Sequence, residues 1–211
     1  MNSLLIDLQY FPTVEYYLTL NKFSNVVFEQ YDWHRKMSFR NRCVIAGANG
    51  PINLSVPLLG GRNQRIPAGD VTIENSLNWQ AQHLRSIVSA YNRSPFFEHF
   101  SGSITTLFSP SYERLFEWNL ACLKWINSEI GVKMNFRATE TYESVPADAE
   151  VLDLRDWFFP RSINESVGQP VIYRQVFEER NGFIPNLSIL DFLFCEGPWK
   201  LRELIAERKN S

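Results

Sequence analysis

A run of basic side chains without any acid is the part of this sequence with the clearest chemical potential. Between Trp33 and Gly69 there is no Asp or Glu, and the window carries +6 in a chain whose formal net charge is −2. Its basic residues are Arg35, Lys36, Arg40, Arg42, Arg62 and Arg65. Clustered guanidinium and ammonium groups favour a bound phosphate or diphosphate, because guanidinium also donates two parallel hydrogen bonds to its oxygens.

An extended conformation of residues 34–45 would place these cations on one face, because side chains alternate along a strand. The core face would hold Met37, Phe39, Cys43 and Ile45. The other face would hold His34, Lys36, Ser38, Arg40 and Arg42. Gly60-Gly61 before Arg62 would add backbone N–H groups that approach an anion. The alternative is a solvated basic strand paired with acids elsewhere, since the other residues sum to −8.

Two polar residues lie on predicted helices. His83 flanks an apolar stripe in a helix over 79–92, so it is either an acid–base group or a half-buried structural residue. Asn119 projects from the apolar face of a helix over 112–130 that Gly131 ends, where an unpaired carboxamide costs ~1–3 kcal/mol. Its partners are either neighbouring backbone or a polar network that reaches a pocket. Glu29 is one of the acids nearest the basic segment and is a candidate general base.

Metal, cofactor and nucleophile signatures are absent from the sequence. No pair of histidines has metal-ligand spacing, and there is no P-loop, G-x-G-x-x-G or G-x-S-x-G. The three cysteines, Cys43, Cys122 and Cys195, are far apart and read as reduced thiols. We therefore predict no bound metal and no cofactor.

The elements that position these residues begin with a β-α-β unit. Leu4–Leu8 and residues 26–28 are predicted strands, with Pro12 at the start of a helix between them. A hairpin with an Asn49-Gly50 turn follows and is expected to extend or abut the sheet. Beyond residue 131 we predict strands near 151–152 and over 171–177, then helices after Ser188 and after Pro198. The fold class is α/β: one domain over 1–211 with a mixed central sheet and flanking helices.

Composition narrows the class of protein. With 45% hydrophobic residues the chain buries a core, and its pI of about 6.0 argues against a nucleic-acid partner. No apolar stretch approaches the ~20 residues of a membrane helix, and no signal peptide precedes the first strand. The sequence predicts a cytoplasmic protein without membrane insertion, and leaves its oligomeric state open.

Motifs along nearly the whole chain resemble the WbqC-like protein family. The matching elements are Tyr10-Phe11-Pro12 with Tyr16, Glu29 with Lys36, Phe39-Arg40-Asn41-Arg42, Ser55-Val56-Pro57, Trp79 with His83, Ser94-Pro95-Phe96-Phe97, Asn119, and Asn186-Leu187-Ser188-Ile189-Leu190-Asp191. One register departs from the family: Asp7-Leu8 stand where many members carry Gln-Pro, and Gln9 directly precedes Tyr10.

The resemblance implies a context, since this family is associated with loci for bacterial surface polysaccharide and O-antigen. We therefore expect a phosphorylated small-molecule ligand, such as a nucleotide-sugar, and group transfer. The predicted catalytic residues are His83, Lys36 and Glu29. The predicted substrate-binding residues are Tyr10, Arg40, Asn41, Arg42 and Asn119. Two alternatives stay open: a nucleotidyltransferase-like enzyme, and a non-catalytic partner of glycan-biosynthesis enzymes.

Overall fold

The computed structural model describes residues 2–61, 63–142, 144, 150–160 and 169–209. The strands are β1 (Ser3–Asp7), β2 (Asn25–Glu29), β3 (Arg42–Gly47), β4 (Gly50–Ser55), β5 (Phe136–Ala138) and β6 (Val151–Asp153). The helices are α1 (Val14–Leu20), α2 (Trp79–Tyr91), α3 (Phe97–Leu107), α4 (Leu115–Ile130), α5 (Glu178–Asn181) and α6 (Ile189–Lys209). A turn of 3₁₀ helix covers Ala68–Asp70.

Four strands form a parallel sheet in the order β5-β2-β1-β6. The first strand is apolar on both faces, with Leu4, Leu5 and Ile6 fully buried, as in parallel sheets that are covered on both sides. Thr13 caps α1 by accepting a hydrogen bond from the Tyr16 backbone N–H at 3.4 Å. The predicted α/β class and β-α-β opening are confirmed.

The hairpin β3–β4 is a separate antiparallel sheet, so the described part of the central sheet is entirely parallel rather than mixed. The outer edge of β3 is occupied by other groups. The Ser188 backbone N–H donates to the Val44 carbonyl at 2.7 Å, and the Ala46 N–H donates to the Tyr91 hydroxyl at 2.9 Å. The turn consists of Ala48 and Asn49, one residue earlier than predicted.

Helices pack around these sheets over one continuous core. The predicted helix over 79–92 is confirmed as α2, and α4 ends at Gly131 in the left-handed conformation, as predicted. Helix α4 begins at Leu115, three residues later than predicted. Arg114, just before it, forms an antiparallel bridge with Thr72, and the Leu115 N–H donates to the Val71 carbonyl at 2.9 Å. Helix α3 was not predicted. The two helices predicted after Ser188 and after Pro198 form the two parts of α6, which is interrupted by the non-helical backbone of Gly197.

The extended conformation considered for residues 34–45 holds only from Arg42, where β3 begins, and residues 34–41 are not extended. The segment turns repeatedly, with Met37 in the left-handed region at φ +61°. Local bonds stabilise these turns: the Ser38 hydroxyl donates to the Arg35 carbonyl at 2.7 Å and accepts from the Arg40 backbone N–H at 3.3 Å. Consequently His34, Ser38 and Arg40 are buried and do not form an exposed face.

The predicted strand over 171–177 is also wrong, because side chains satisfy its backbone groups in place of a neighbouring strand. The Val171 N–H donates to Glu15 Oε1 at 2.8 Å, and the Arg174 N–H donates to Glu196 Oε1 at 3.0 Å. The Gln175 carboxamide makes two 2.8 Å bonds to the backbone of Ile184. The alternation of apolar residues here reflects burial against the core without strand pairing.

Candidate functional site

The carboxyl ends of the parallel strands meet at one edge of the sheet, which we call the carboxyl edge. Asp7 ends β1, Glu29 ends β2 and Asp153 ends β6. The chain leaves β1 on one side, towards β2 and β5, and returns on the other side as β6. Such a reversal opens a crevice beyond the strand ends, where α/β proteins commonly bind ligands. The candidate site is therefore the surface beyond the ends of β1 and β6, which we call the crevice.

Arg40 lies at the centre of this crevice with its side chain only 4% exposed. Its Nη1 donates to the Trp33 carbonyl at 2.8 Å, and its Nη2 donates to Asp156 Oδ1 at 3.1 Å. Carboxylates of Asp7 and Asp32 each lie 3.7 Å from the guanidinium. Arg40 therefore neutralises three acids of the chain itself and is not one of a row of solvent-facing cations.

Two further arginines lie on the carboxyl edge, and both are paired. Arg35 Nε is 2.9 Å from Asp156 Oδ2. Arg155 Nε lies 3.0 and 3.1 Å from the two oxygens of Asp153, and its Nη1 lies 3.4 Å from Glu29 Oε2. The Arg35 pair continues the Arg40 network outward through the shared Asp156, and Arg155 links the acids that end β2 and β6.

Asp156 has the features of a functional carboxylate. Its backbone adopts φ +56°, an uncommon value for a non-glycine residue, and its N–H donates to Asp7 Oδ1 at 3.0 Å. Its carboxylate is partly exposed between Arg35 and Arg40. Burial raises its pKa above the usual range, while the positive charge of Arg40 opposes that shift. Perturbed carboxyl groups in crevices are candidates for acid–base chemistry.

Exposed aromatic side chains surround the same edge. Tyr31 and Trp33 follow β2, Tyr142 follows β5, and Trp157 follows β6. Trp33 is 59% and Trp157 49% exposed, and the Arg155 guanidinium lies 5.1 Å from the centre of the Tyr142 ring. Among the described residues five aromatic side chains are exposed, and Trp199 on α6 is the fifth. The exposed aromatic surface is thus concentrated at the carboxyl edge.

His83, a predicted catalytic residue, is buried in the core between Trp79 and Tyr10. Its Nδ1 is 2.9 Å from the hydroxyl of Tyr10, which is fully buried. Burial lowers the pKa of His83 to about 4, and a hydrogen bond with the Ser55 backbone partly opposes this shift. The ring is therefore neutral near pH 7, and its bond to Tyr10 ties α2 to the residues that follow β1. The catalytic role of His83 and the binding role of Tyr10 stay predictions.

Three predicted binding residues hold the chain around Arg40 in place. Asn119 Nδ2 donates to the Arg40 backbone carbonyl at 2.7 Å, which is the backbone partner weighed from the sequence. Asn41 Nδ2 donates to the Val56 carbonyl at 3.1 Å, and Arg42 Nη2 donates to the Met37 carbonyl at 2.9 Å. Their contacts with a substrate stay predictions.

The two other predicted catalytic residues have opposite surroundings. Lys36 is exposed on the turn next to Arg35 and makes no ion pair with a described residue. Glu29 is buried, and its Oε1 accepts from the Tyr31 N–H at 2.8 Å and from the Thr139 hydroxyl at 2.9 Å. Arg62, part of the basic window, lies outside the described residues.

Sequence reasoning missed Asp7 and Asp156, two of the three acids that surround Arg40. Asp7 lies near the end of the predicted strand Leu4–Leu8, and residues 153–157, Asp-Leu-Arg-Asp-Trp, follow the predicted strand near 151–152. Charged residues at the ends of two parallel strands were the available signal, because those strand ends share one edge of the sheet.

Among the residues that the structure describes, no group of three or more His, Cys, Asp or Glu side chains is arranged to hold a metal ion. In the same part of the chain, no helix combines the length and apolar character needed to cross a bilayer.

Comparison with known proteins gives a family but no characterised relative. No curated protein and no solved structure matches the chain. The model of the WbqC-like protein family matches residues 9–158, which include α1, the hairpin, α2 to α4, and the Asp156 and Trp157 side of the crevice. Because this match covers well over half of the chain, the protein belongs to the WbqC-like protein family.

Proposed function

We propose that this protein binds the sugar of a phosphorylated or nucleotide-linked precursor at the carboxyl edge and catalyses a group transfer in bacterial surface-polysaccharide synthesis. The observation that supports it is the position of four exposed aromatic side chains around an ion-pair network at a strand reversal. Exposed aromatic surface costs solvation free energy, and its concentration at one place on a protein marks a binding site.

The chemistry of this edge suits a sugar or a nucleoside. Trp33 and Trp157 are exposed indole side chains, a type on which the C–H face of a sugar or the face of a nucleobase stacks; base stacking contributes ~1–3 kcal/mol per aromatic side chain. The carboxylates of Asp32, Asp153 and Asp156 accept hydrogen bonds from hydroxyl groups. Stacking with a few fixed polar groups is a common way to orient a small ligand.

The phosphate of such a ligand is expected at the margin of the site. Arg40 is buried and its guanidinium is bonded to the chain's own acids, whereas Lys36 and the more exposed Arg35 face solvent beside it. A phosphate that contacts Arg35 has to compete with Asp156 for it, because the two side chains are 2.9 Å apart.

Group transfer requires a residue that moves a proton. Asp156 is the described carboxylate at this edge whose pKa burial raises, and it remains open to the crevice. A carboxyl group with a raised pKa is a better base towards a sugar hydroxyl than an ordinary one. We therefore propose Asp156 as the acid–base residue, alongside the earlier prediction of His83.

Ligand binding is tested by thermal shift and tryptophan fluorescence with nucleotide-sugars, sugar phosphates, free nucleotides and free sugars. A ligand that binds the native state raises the melting temperature through linkage. We expect one ligand class to do so in the wild type, and its affinity to fall about 5-fold or more in Trp157→Ala and Trp33→Ala, since stacking contributes ~1–3 kcal/mol.

Trp199→Ala is the matched control, because Trp199 is exposed and also contacts an arginine, Arg202, but lies on α6. It should leave binding unchanged. Equal losses in all three variants, or no binding by any ligand to folded wild type, would refute the proposed site. Where binding is found, transfer of the sugar to water or to the hydroxyl of an added monosaccharide, measured as the nucleotide released, should be lost in Asp156→Asn while binding persists.

A further inference from the structure

Beneath the carboxyl edge lies a small cavity that leaves about 10 Å³ for the centre of a water-sized molecule. This is the space that one water molecule needs. Its polar lining comes from Glu29, His34, Arg40 and Asn119, and its apolar lining from Leu8, Ala68, Leu115 and Phe116.

Three of these polar side chains are more than nine-tenths buried and have unused hydrogen-bonding atoms. His34 has no partner among the described residues at either ring nitrogen, Arg40 has none at Nε, and Asn119 has none at Oδ1. The nearest carboxylate oxygen to Arg40 Nε, on Asp7, is 3.7 Å away, too far for a hydrogen bond. Buried polar atoms that stay unpaired cost ~1–3 kcal/mol each, so their convergence on one cavity calls for a ligand.

We propose that one ordered water molecule occupies this cavity, and that His34 acts through it as a positioning residue for Arg40. The donor and acceptor pattern matches water. Arg40 Nε–H donates to the water, and the water donates to Asn119 Oδ1 and to one ring nitrogen of His34. Asn119 Oδ1 is the acceptor because Nδ2 is already bonded to the Arg40 carbonyl.

An anion does not suit this cavity, because Glu29 and the Asn119 oxygen would both repel it. His34 is suited to its part because its ring is neutral near pH 7. Burial and, to a smaller extent, the positive charge of Arg40 together lower its pKa to about 4. A neutral imidazole keeps a lone pair that accepts from water.

The water completes the bonding of the Arg40 guanidinium. Nη1 and Nη2 are fixed by the Trp33 carbonyl and by Asp156, and the water would fix Nε. His34 would thus influence the orientation of the group that holds Asp156 in the crevice. This inference concerns the inner side of Arg40 and does not depend on the identity of any ligand.

The water is detected in the wild-type protein by NMR, as a nuclear Overhauser cross-peak between the Arg40 Hε and the water resonance. Its sign in the laboratory and rotating frames distinguishes a long-lived internal water from exchange. Arg155 Hε is the internal control, since Arg155 Nε lies 3.0 Å from a carboxylate oxygen of Asp153. We expect the cross-peak at Arg40 and none of that kind at Arg155. Its absence at Arg40 would overturn the water site.

The role of His34 is tested with His34→Gln and His34→Leu. Glutamine supplies a donor and an acceptor, so the cross-peak and the Arg40 Hε chemical shift should persist, whereas leucine should abolish the cross-peak and move the shift. An unchanged Arg40 signal in the leucine variant would refute the positioning role. If that variant does not fold, the glutamine variant decides: loss of its cross-peak refutes the role, and retention supports it.

Discussion

Replacing Arg40 with methionine tests whether the network at the carboxyl edge stabilises the fold. The variant keeps an unbranched side chain but leaves the carboxylates around it without their central cation. The side chain of Asp7 is only 4% exposed, so its charge is poorly solvated. Removing one partner of a buried ion pair costs ~3–5 kcal/mol. In a chain of this size that corresponds to a melting temperature lower by about 6–20 °C.

The measurement is equilibrium urea denaturation with a thermal melt. Arg114→Met is the matched control: its pair with Asp70 is 3.2 Å long, but the two side chains are 52% and 56% exposed. An exposed pair contributes ~0–1 kcal/mol, so this variant should hardly differ from wild type. Adding Asp7→Asn to Arg40→Met should recover part of the loss, because it removes the buried charge. Equal effects of Arg40→Met and Arg114→Met would refute the view that the buried network stabilises the protein.

Three further predictions concern buried groups away from the crevice. Burial lowers the pKa of His83 to about 4, so as pH falls the unfolded protein binds a proton at His83 before the folded protein does. The free energy of unfolding therefore decreases as pH drops from 6.5 to 4. Urea titrations of His83→Gln should show that fall reduced by roughly 3 kcal/mol, and an identical fall would contradict the reasoning. Burial raises the pKa of Asp191 to about 6, so its contribution is lost as pH rises from 3.8 to 6. The free energy of unfolding of Asp191→Asn should therefore rise relative to that of the wild type by roughly 3 kcal/mol as pH increases from 3.8 to 6. A difference that does not change with pH would count against this. Gly197 has φ +82°, and an added Cβ would lie 2.7 Å from the Phe96 ring, whereas Gly182 has φ +68° with nothing within 4 Å. The free energy of unfolding of Gly197→Ala, from urea denaturation, should be lower than that of Gly182→Ala by at least ~1 kcal/mol. Equal values would show that the Phe96 ring moves aside.

Local patterns in the sequence predicted the regular elements well. The apolar run that starts at Leu4 predicted β1, and the apolar stripe over residues 79–92 predicted α2. Gly131 predicted the carboxyl end of α4. These signals are local, because they depend on periodicity and on backbone conformation at single residues. Helix α3, which was not predicted, has the same kind of signal: Phe97, Phe100 and Ile104 recur at helical spacing after the Ser94-Pro95 turn.

The segments that failed are those whose backbone bonds to distant side chains. Val171 bonds to Glu15 and Arg174 bonds to Glu196, so alternation alone could not tell this segment from a strand. Asn119 was predicted to need a partner, and the structure supplies the carbonyl of Arg40, 79 residues away. The need for a partner is a property of the residue, but the partner's identity depends on the tertiary fold.

The basic window shows the same limit for the site. Its +6 charge predicted a phosphate site, yet Arg40 pairs with Asp7 and Asp156, which lie outside the window on opposite sides of it. At the carboxyl edge the carboxylates of Asp7, Glu29, Asp32, Asp153 and Asp156 exceed the guanidinium groups of Arg35, Arg40 and Arg155. A phosphate at Arg35 or Arg40 would have to displace an acid, whereas a sugar ring gains from both the acids and the exposed aromatic side chains. Two of the six basic residues of the window, Arg35 and Arg40, thus hold the acids of the carboxyl edge in place. Under the proposed function, ring stacking and hydroxyl contacts bind the sugar, and the phosphate lies at the margin beside Lys36.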